Sequence, residues 1–302
     1  MISVIMLTYN REQLVGRAIE SILAQTFRDF EFIIVDNGST DCSGKIADGY
    51  AARDNRLRVI HRERGSIGAG RNTGLDAARG EYVAFLDDDD VADPDFLEFL
   101  YTLAEENGAD IAICGATWAD IDEKCIMNAE QAIELLLWRK HYNVAFPTKL
   151  LRRELFDQHR FLESSRYDDI ELMPKMIADA KVVAYHGLSK YHFDRHGGNH
   201  SAWTQNHRLL DAETLREYLK VYRERTVWLT EKFPSKAALW NYFNWSFMIS
   251  MVEKIIRLEL PGCGEQLKEM RGELCVHRQE FLNSPELLDF EREWMEHYVE
   301  PG

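Results

Sequence analysis

An α/β fold followed by an all-helical C-terminal region is predicted by three observations. Through residue 115, short runs rich in Ile, Val and Phe alternate with segments of helical periodicity. Each run ends in a polar turn, as a parallel strand covered on both faces does. From residue 206 onward strand signals stop and helical periodicity dominates. The expected organisation is a mixed, Rossmann-like α/β domain over 1–205 and a helical region over 206–302.

Residues 2–7 (ISVIML) read as the first strand. Arg11 to Gln25 reads as a helix, with Leu14, Ala18, Ile22 and Gln25 at helical spacing. EFIIVD (31–36) is the second strand, and NGSTD turns into a helix over 42–53. LRVIH (57–61) is the third strand, followed by a Gly-rich helix over 66–78. EYVAFLD (81–87) is the fourth. Asp93-Pro94 predicts an N-cap with proline in the first turn of a helix over 94–107. ADIAICG (109–115) is the fifth strand. The tail predicts helices near 208–232, 236–259, 264–282 and 285–299, punctuated by Pro234, Pro261-Gly262 and Pro285.

Of the 302 residues, 45% are hydrophobic and 29% charged, an ordinary balance for a globular protein. The net charge of −15, from 36 basic and 51 acidic side chains, argues against nucleic acid as a partner. A small anionic ligand would need a local cation or helix N-termini. Five cysteines without CxxC spacing predict free thiols. No signal peptide is expected, and the uncharged run Leu239 to Val252 is too short to span a bilayer. The expected location is the cytoplasm, with peripheral contact at the inner face of the membrane.

The most informative stretch is FLDDDD, Phe85 to Asp90. Adjacent carboxylates repel unless a cation or donors compensate. In an open α/β sheet ligands bind at the carboxyl ends of strands, where this cluster falls. A hard divalent cation, Mg²⁺ or Mn²⁺, shared with substrate phosphates is its natural partner. An EF-hand reading fails, because Ala92 stands where the loop needs Gly and a strand precedes it. Gly68, Gly70 and Gly74 are spaced GxGxxxG and do not follow the first strand, which argues against a dinucleotide fingerprint.

VDNGSTD (35–41) ends the second strand and LTYN (7–10) the first. Asp36 and Asn37 could recognise a base or ribose, and Tyr9 could stack on a base. Each of these alone reads as a capping turn or loop. In order and in strand context, TYN, VDNGSTD, GAGRNTGLDAARGEY and FLDDDD closely resemble the inverting family 2 glycosyltransferases. The resemblance continues at YDDIELMPKM (167–176) and VVAYHGLSKYHFDRHG (182–197), so it covers about residues 1–200.

That resemblance implies the GT-A fold and a nucleoside-diphosphate sugar donor, with a UDP-sugar the leading choice. It implies that Thr8, Tyr9 and Asn10 line the base pocket, and that Asp36 and Asn37 contact base or ribose. Many relatives carry Asp where Asn37 stands. Arg71 would support the nucleotide pocket, and Asp88 would bind ribose or donor sugar. Asp87-Asp88-Asp89 resembles the DxD motif, making Asp89 the first metal ligand, assisted by Asp87. His192 or His196, with Arg195 nearby, would complete the metal or diphosphate site. Asp169 resembles the catalytic base, preceded by Asp168 where relatives commonly have Glu. For the Asp168-Asp169 pair alone, a charged helix N-terminus is the simpler reading.

The implied activity is metal-dependent transfer of a hexose to a saccharide or lipid-linked saccharide in surface polysaccharide synthesis. The aromatic residues of the tail, including Trp228, Trp240, Trp245 and Trp294, read first as core. Their alternative uses are an acceptor groove, a membrane-surface contact or a homodimer contact. A sugar-nucleotide nucleotidyltransferase is a second reading, but LTYNREQ lacks the Gly-rich basic phosphate loop that it requires. A non-catalytic nucleotide-sugar-binding scaffold is a third, and it predicts loss of site carboxylates that are all present here.

Overall fold

Ile2–Thr8 (β1) is the strand from which the sheet grows. Six of its seven residues are buried, so both faces need cover and both edges need partners. Phe30–Asp36 (β2) and Tyr82–Asp87 (β4) flank it in parallel, and Leu57–His61 (β3) lies parallel beyond β2. The register pairs Thr8 with Asp36, Leu7 with Asp87, and Asp36 with His61. Four strand ends thus form one row of polar side chains, the position at which such sheets bind ligands.

The computed structural model describes residues 1–116, 120–165, 167–194, 204 and 206–299. The chain divides into two units, Met1–Asp194 and Arg195–Gly302. In the first, the described residues form a nine-stranded mixed sheet in the order β3-β2-β1-β4-β8-β6-β9-β5, with β7 also on β9. Ile111–Ala116 (β6) and Val183–His192 (β9) are parallel to each other. Lys149–Arg152 (β8) joins β4 to β6 by antiparallel pairing on both sides. Val91–Ala92 (β5) and Lys124–Met127 (β7) pair antiparallel with β9.

Val15–Leu23 (α1), Ser43–Ala51 (α2) and Ile67–Ala77 (α3) connect the parallel strands. The glycines of α3 serve packing. A Cβ on Gly70 would stand 2.1 Å from Leu7 Cδ1, and one on Gly74 would stand 2.4 Å from Ile5 Cγ2. Only glycine lets this helix lie so close on β1.

Phe96–Asn107 (α4) begins two residues later than Asp93-Pro94 predicts. Asp95 is its N-cap, because the Asp93 carbonyl closes the preceding turn with the Phe96 amide at 3.0 Å. Ala129–Trp138 (α5) opens with a capping box between Asn128 and Gln131. Asp168–Asp179 (α6) starts with Asp168, Asp169 and Glu171 in its first turn, matched to the helix dipole.

The second unit contains Ala212–Lys232 (α7), Ala237–Leu258 (α8), Gly264–Val276 (α9), Arg278–Leu282 (α10) and Asp289–Trp294 (α11). Trp240, Tyr242, Trp245 and Met248 of α8 are buried, so its aromatic residues are core. The Tyr242 hydroxyl donates to Glu291 Oε2 at 3.0 Å, and the Trp245 ring lies over His277. Among the described residues no helix is long and apolar enough to cross a membrane. All five cysteines are free thiols.

Candidate active site

The row of strand ends carries three connected groups. The first joins the turns after β1 and β2. Asp36 accepts from the Ser39 amide at 3.0 Å, and its other oxygen meets His61 Nδ1 at 3.0 Å. Asn10, at φ 50°, accepts from the Thr40 amide at 2.8 Å and donates its own amide to Ser39 Oγ. The Asn37 side chain pairs with Gly65 in both directions. Its Nδ2 donates to the Gly65 carbonyl at 2.9 Å, and its Oδ1 accepts from the Gly65 amide at 3.1 Å. The sequence places the Asn10 and Asn37 amides toward a nucleotide; the structure gives both amides protein partners that fix the turns. Thr8 is fully buried, and the Arg64 guanidinium covers the Tyr9 ring at 3.3 Å from its centroid.

The second group is the acidic turn after β4. Asp88 accepts from the Tyr9 amide at 3.1 Å and faces Arg11 Nε at 3.7 Å. Lost hydration pushes its carboxyl up to about 7, helped by Asp89 and opposed by the Thr8 hydroxyl, the Tyr9 amide and Arg11. Asp90 is driven up to about 8 by burial and by Asp87. Lost hydration also raises Asp87, with Arg71 opposing and Asp89 and Asp168 adding to the shift. Asp89 is buried, and its carbonyl accepts from Arg17, which also pairs with Asp194. The Tyr191 hydroxyl donates to Asp90 Oδ2 at 2.8 Å and accepts from the Asp87 amide at 3.1 Å.

The third group is the start of α6. Arg71 Nη1 reaches both oxygens of Asp168, at 3.2 and 3.3 Å, and Nη2 lies 3.5 Å from Asp87. One guanidinium therefore ties the acidic turn to the helix that carries Asp169. It is packed near the rings of Phe161, Phe85 and Phe146, at 5.3, 6.0 and 5.9 Å. Burial raises the Asp169 carboxyl to about 6, with Asp168 adding to the shift and Arg71 opposing it. Its Oδ1 accepts from the Ile170 amide at 2.8 Å. Lys149 is fully buried nearby in the chain fold, donates to the Ala145 carbonyl at 2.5 Å, and is lowered to about 7 by burial.

Acids raised by burial and gathered at strand ends and a helix start mark a candidate functional site. The donor set here is carboxylate oxygen. That chemistry suits Mg²⁺ or Mn²⁺, which bind through one or two carboxylates plus phosphate oxygens. Among the described residues no three carboxylate, imidazole or thiol groups converge into a ready-made cage. His192 pairs with Asp93 Oδ1 at 2.7 Å, because the antiparallel pairing of β9 with β5 sets it opposite Val91. The structure thus gives the expected third ligand a carboxylate partner in the next turn. Arg195 and His196 lie outside the described residues.

Arg71, expected to support the nucleotide pocket, is paired with Asp168 and Asp87. Tyr191, Arg17 and His61 are connecting residues that the sequence reading does not single out. For His61 the signal was its position at the end of a parallel strand. Tyr191 and Arg17 act across 101 and 72 residues of chain, and local pattern carries no trace of such contacts.

The model of glycosyl transferase family 2 matches residues 3–163, ending just before Asp168 and Asp169. Over 221 residues the chain is 33% identical to the glycosyltransferase GlyG of Streptococcus pneumoniae, covering 66% of this chain and 72% of GlyG. It is 44% identical over 115 residues to EpsJ of Bacillus subtilis, named an uncharacterized glycosyltransferase; this covers 38% of this chain and 33% of EpsJ. The crystal structure of S. aureus TarS 1-349 in complex with UDP-GlcNAc superposes with a TM-score of 0.63 at 19% identity, covering 98% of this chain and 91% of that one. That likeness is one of fold, a GT-A-like mixed sheet followed by helices. With the matched span running from β1 past the acidic turn, the chain is an enzyme of glycosyltransferase family 2, with the GT-A fold.

Proposed function

We propose that the chain is a metal-dependent, inverting hexosyltransferase that uses a UDP-sugar and extends a saccharide or lipid-linked saccharide. The observation that carries this reading is the Arg71 bridge, which joins the acidic turn to the helix start bearing Asp169. The nucleotide sits over the ends of β1 and β2, beside Tyr9 and Asp36, with the buried Thr8 supporting the turn from below and Asp88 beside the ribose or sugar. The UDP-GlcNAc bound by TarS, which shares this fold, supports the choice of donor class.

Asp169 takes the proton of the acceptor hydroxyl as that oxygen bonds to the anomeric carbon. The bond from that carbon to the diphosphate breaks on the opposite face, and the nucleoside diphosphate leaves with the electron pair. A carboxyl held near 6 is ionised at neutral pH and still basic enough to accept a proton. Asp89, assisted by Asp87, would hold the cation, which supplies charge stabilisation for the departing diphosphate. The helical unit is proposed to serve the acceptor, through contact with saccharide, membrane surface or a second copy. The product would enter a surface polysaccharide, made by a cytoplasmic enzyme.

The test is calorimetric titration of UDP into metal-stripped protein with and without Mn²⁺, with dTDP and GDP as controls. Mn²⁺-dependent binding that prefers UDP is expected. Asp169→Asn should keep that binding and lose transfer by about 10²- to 10⁴-fold, the usual worth of a general base. Undiminished turnover in this variant would remove Asp169 from its role, and UDP binding unaffected by Asp89→Asn would remove the metal assignment.

A further inference from the structure

His61 ends β3 with one carboxylate on each ring nitrogen. Nδ1 lies 3.0 Å from Asp36 Oδ2, and Nε2 lies 3.0 Å from Asp48 Oδ1. A neutral imidazole has a single N–H, so it can serve only one of these acceptors. Its other nitrogen would then turn a lone pair toward a carboxylate. Only the imidazolium donates to both. Asp36 is nearly fully buried, is held on its second oxygen by the Ser39 amide, and is closed in by α2, where a Cβ on Gly44 would stand 2.4 Å from its Oδ2.

We propose that His61 is a positioning residue for donor binding, the middle of an Asp48–His61–Asp36 chain that fixes the Asp36 carboxylate at the end of β2. The inference rests on the donor-site reading above. β2 and α2 are the elements packed on β3, and Asp36 and Asp48 are the charged groups that face the ring from them. On its own strand end, Arg62 is directed to Asn37. The two carboxylates hold the imidazole above its usual range, Asp36 contributing most, and burial opposes them.

The sign of the pH effect follows. The imidazolium is present below the raised pKa, so Asp36 is fixed there. UDP affinity weakens as pH rises through that value, when one link of the chain is lost. This dependence belongs to the nucleotide side of the site and differs from the acid limb that Asp169 gives to turnover.

The experiment titrates UDP and Mn²⁺ into the full chain from pH 6 to 9, for wild type, His61→Phe, His61→Asn and Asp48→Asn, with His61 followed by NMR. His61→Phe keeps a flat ring, and it should lose UDP affinity about tenfold at pH 6 and lose the alkaline decline. His61→Asn, whose amide reaches Asp36 as Nδ1 does, should recover most of that affinity without the pH dependence. Asp48→Asn, an exposed change, should move the decline to lower pH. A His61→Phe variant that binds UDP with wild-type affinity and pH profile overturns the proposal. If wild type binds no UDP at any pH, the donor-site reading fails by itself. The His61–Asp36 link is then read from the imidazole pKa, which should fall toward about 6.5 in Asp36→Asn and whose constancy would discard the chain.

Discussion

Arg71→Met removes the guanidinium and leaves an unbranched side chain among Phe85, Phe146 and Phe161. At an effective dielectric of about 20, unit charges 3.2 and 3.5 Å apart attract by roughly 5 kcal/mol each. Desolvation of the ions offsets much of that. Removing one partner of a buried pair still costs about 3–5 kcal/mol, because the other charge stays behind. Asp168 is buried and Asp87 is partly open to solvent, so the lower figure, about 3 kcal/mol, is expected. At roughly 2–4 °C per kcal/mol for a unit of this size, the melting temperature should fall by about 6–12 °C. A second readout tests the site itself. Arg71 lowers the Asp169 carboxyl, which stands at about 6. Turnover requires the ionised base, so it rises as pH increases through that value. Without Arg71 the rise should move to higher pH. The assays are calorimetric melting and the pH profile of kcat/KM. A variant that melts within 2 °C of wild type, with its acid limb unmoved, would refute both the bridge and its coupling to the base.

Three other outcomes are expected. Asn37→Asp replaces the donor to the Gly65 carbonyl with a second acceptor; losing that part-buried hydrogen bond should cost about 0.5–1.5 kcal/mol in melting experiments and weaken UDP binding in calorimetry. Gly70→Ala drives a methyl into Leu7 and should destabilise by about 1–3 kcal/mol in urea titration. Gly49→Ala, in the interior of α2 with nothing within 4 Å of its new methyl, should stabilise by roughly 0.5–1 kcal/mol in the same assay.

The first half of the sheet was legible because its strands are buried on both faces. β1, β2, β4 and β6 therefore appear as largely apolar runs, the edge strand β3 as a shorter one interrupted by Arg58, and the helices between them fall within a few residues of expectation. The strands after residue 116 were not. β8 has four residues, KLLR, and β7 pairs along one edge. β9 is a ten-residue strand whose pairing with β6 slips between Cys114 and Ala116, so its polar residues hide any alternation. Asn128 and Gln131 mark the start of α5 locally, as a capping box. In the candidate site, Asp36, Asp87, Asp88 and Asp89 stand out in the sequence because carboxylates fall at strand ends, whereas Asp169, in the first turn of a helix, stands out only through the family resemblance. The partners that govern these acids do not stand out. Arg71 meets Asp168 across 97 residues, and Tyr191 meets Asp90 across 101. The same distance in sequence explains His192, whose partner Asp93 is set by strand pairing.

The strand order also has a bearing on how the enzyme can be rebuilt. The residues proposed to hold the donor lie before residue 91, at the ends of strands that pair with one another in parallel and in the turns just after them. The proposed base arrives in a later excursion of the chain, joined to that block by contacts that include the short β4–β8 ladder, the Arg71 bridge and the Tyr191 hydrogen bonds to Asp87 and Asp90. On the proposed assignment, donor choice and acceptor chemistry would be written in separate, contiguous stretches. A chimera that keeps the first block and exchanges the later one must restore at the seam the ladder pairs Tyr82–Arg152, Val83–Leu151 and Ala84–Leu150, the ion pairs of Asp168 with Arg71, Glu81 with Arg152, Asp76 with Arg160 and Arg17 with Asp194, and the Tyr191 contacts to Asp87 and Asp90.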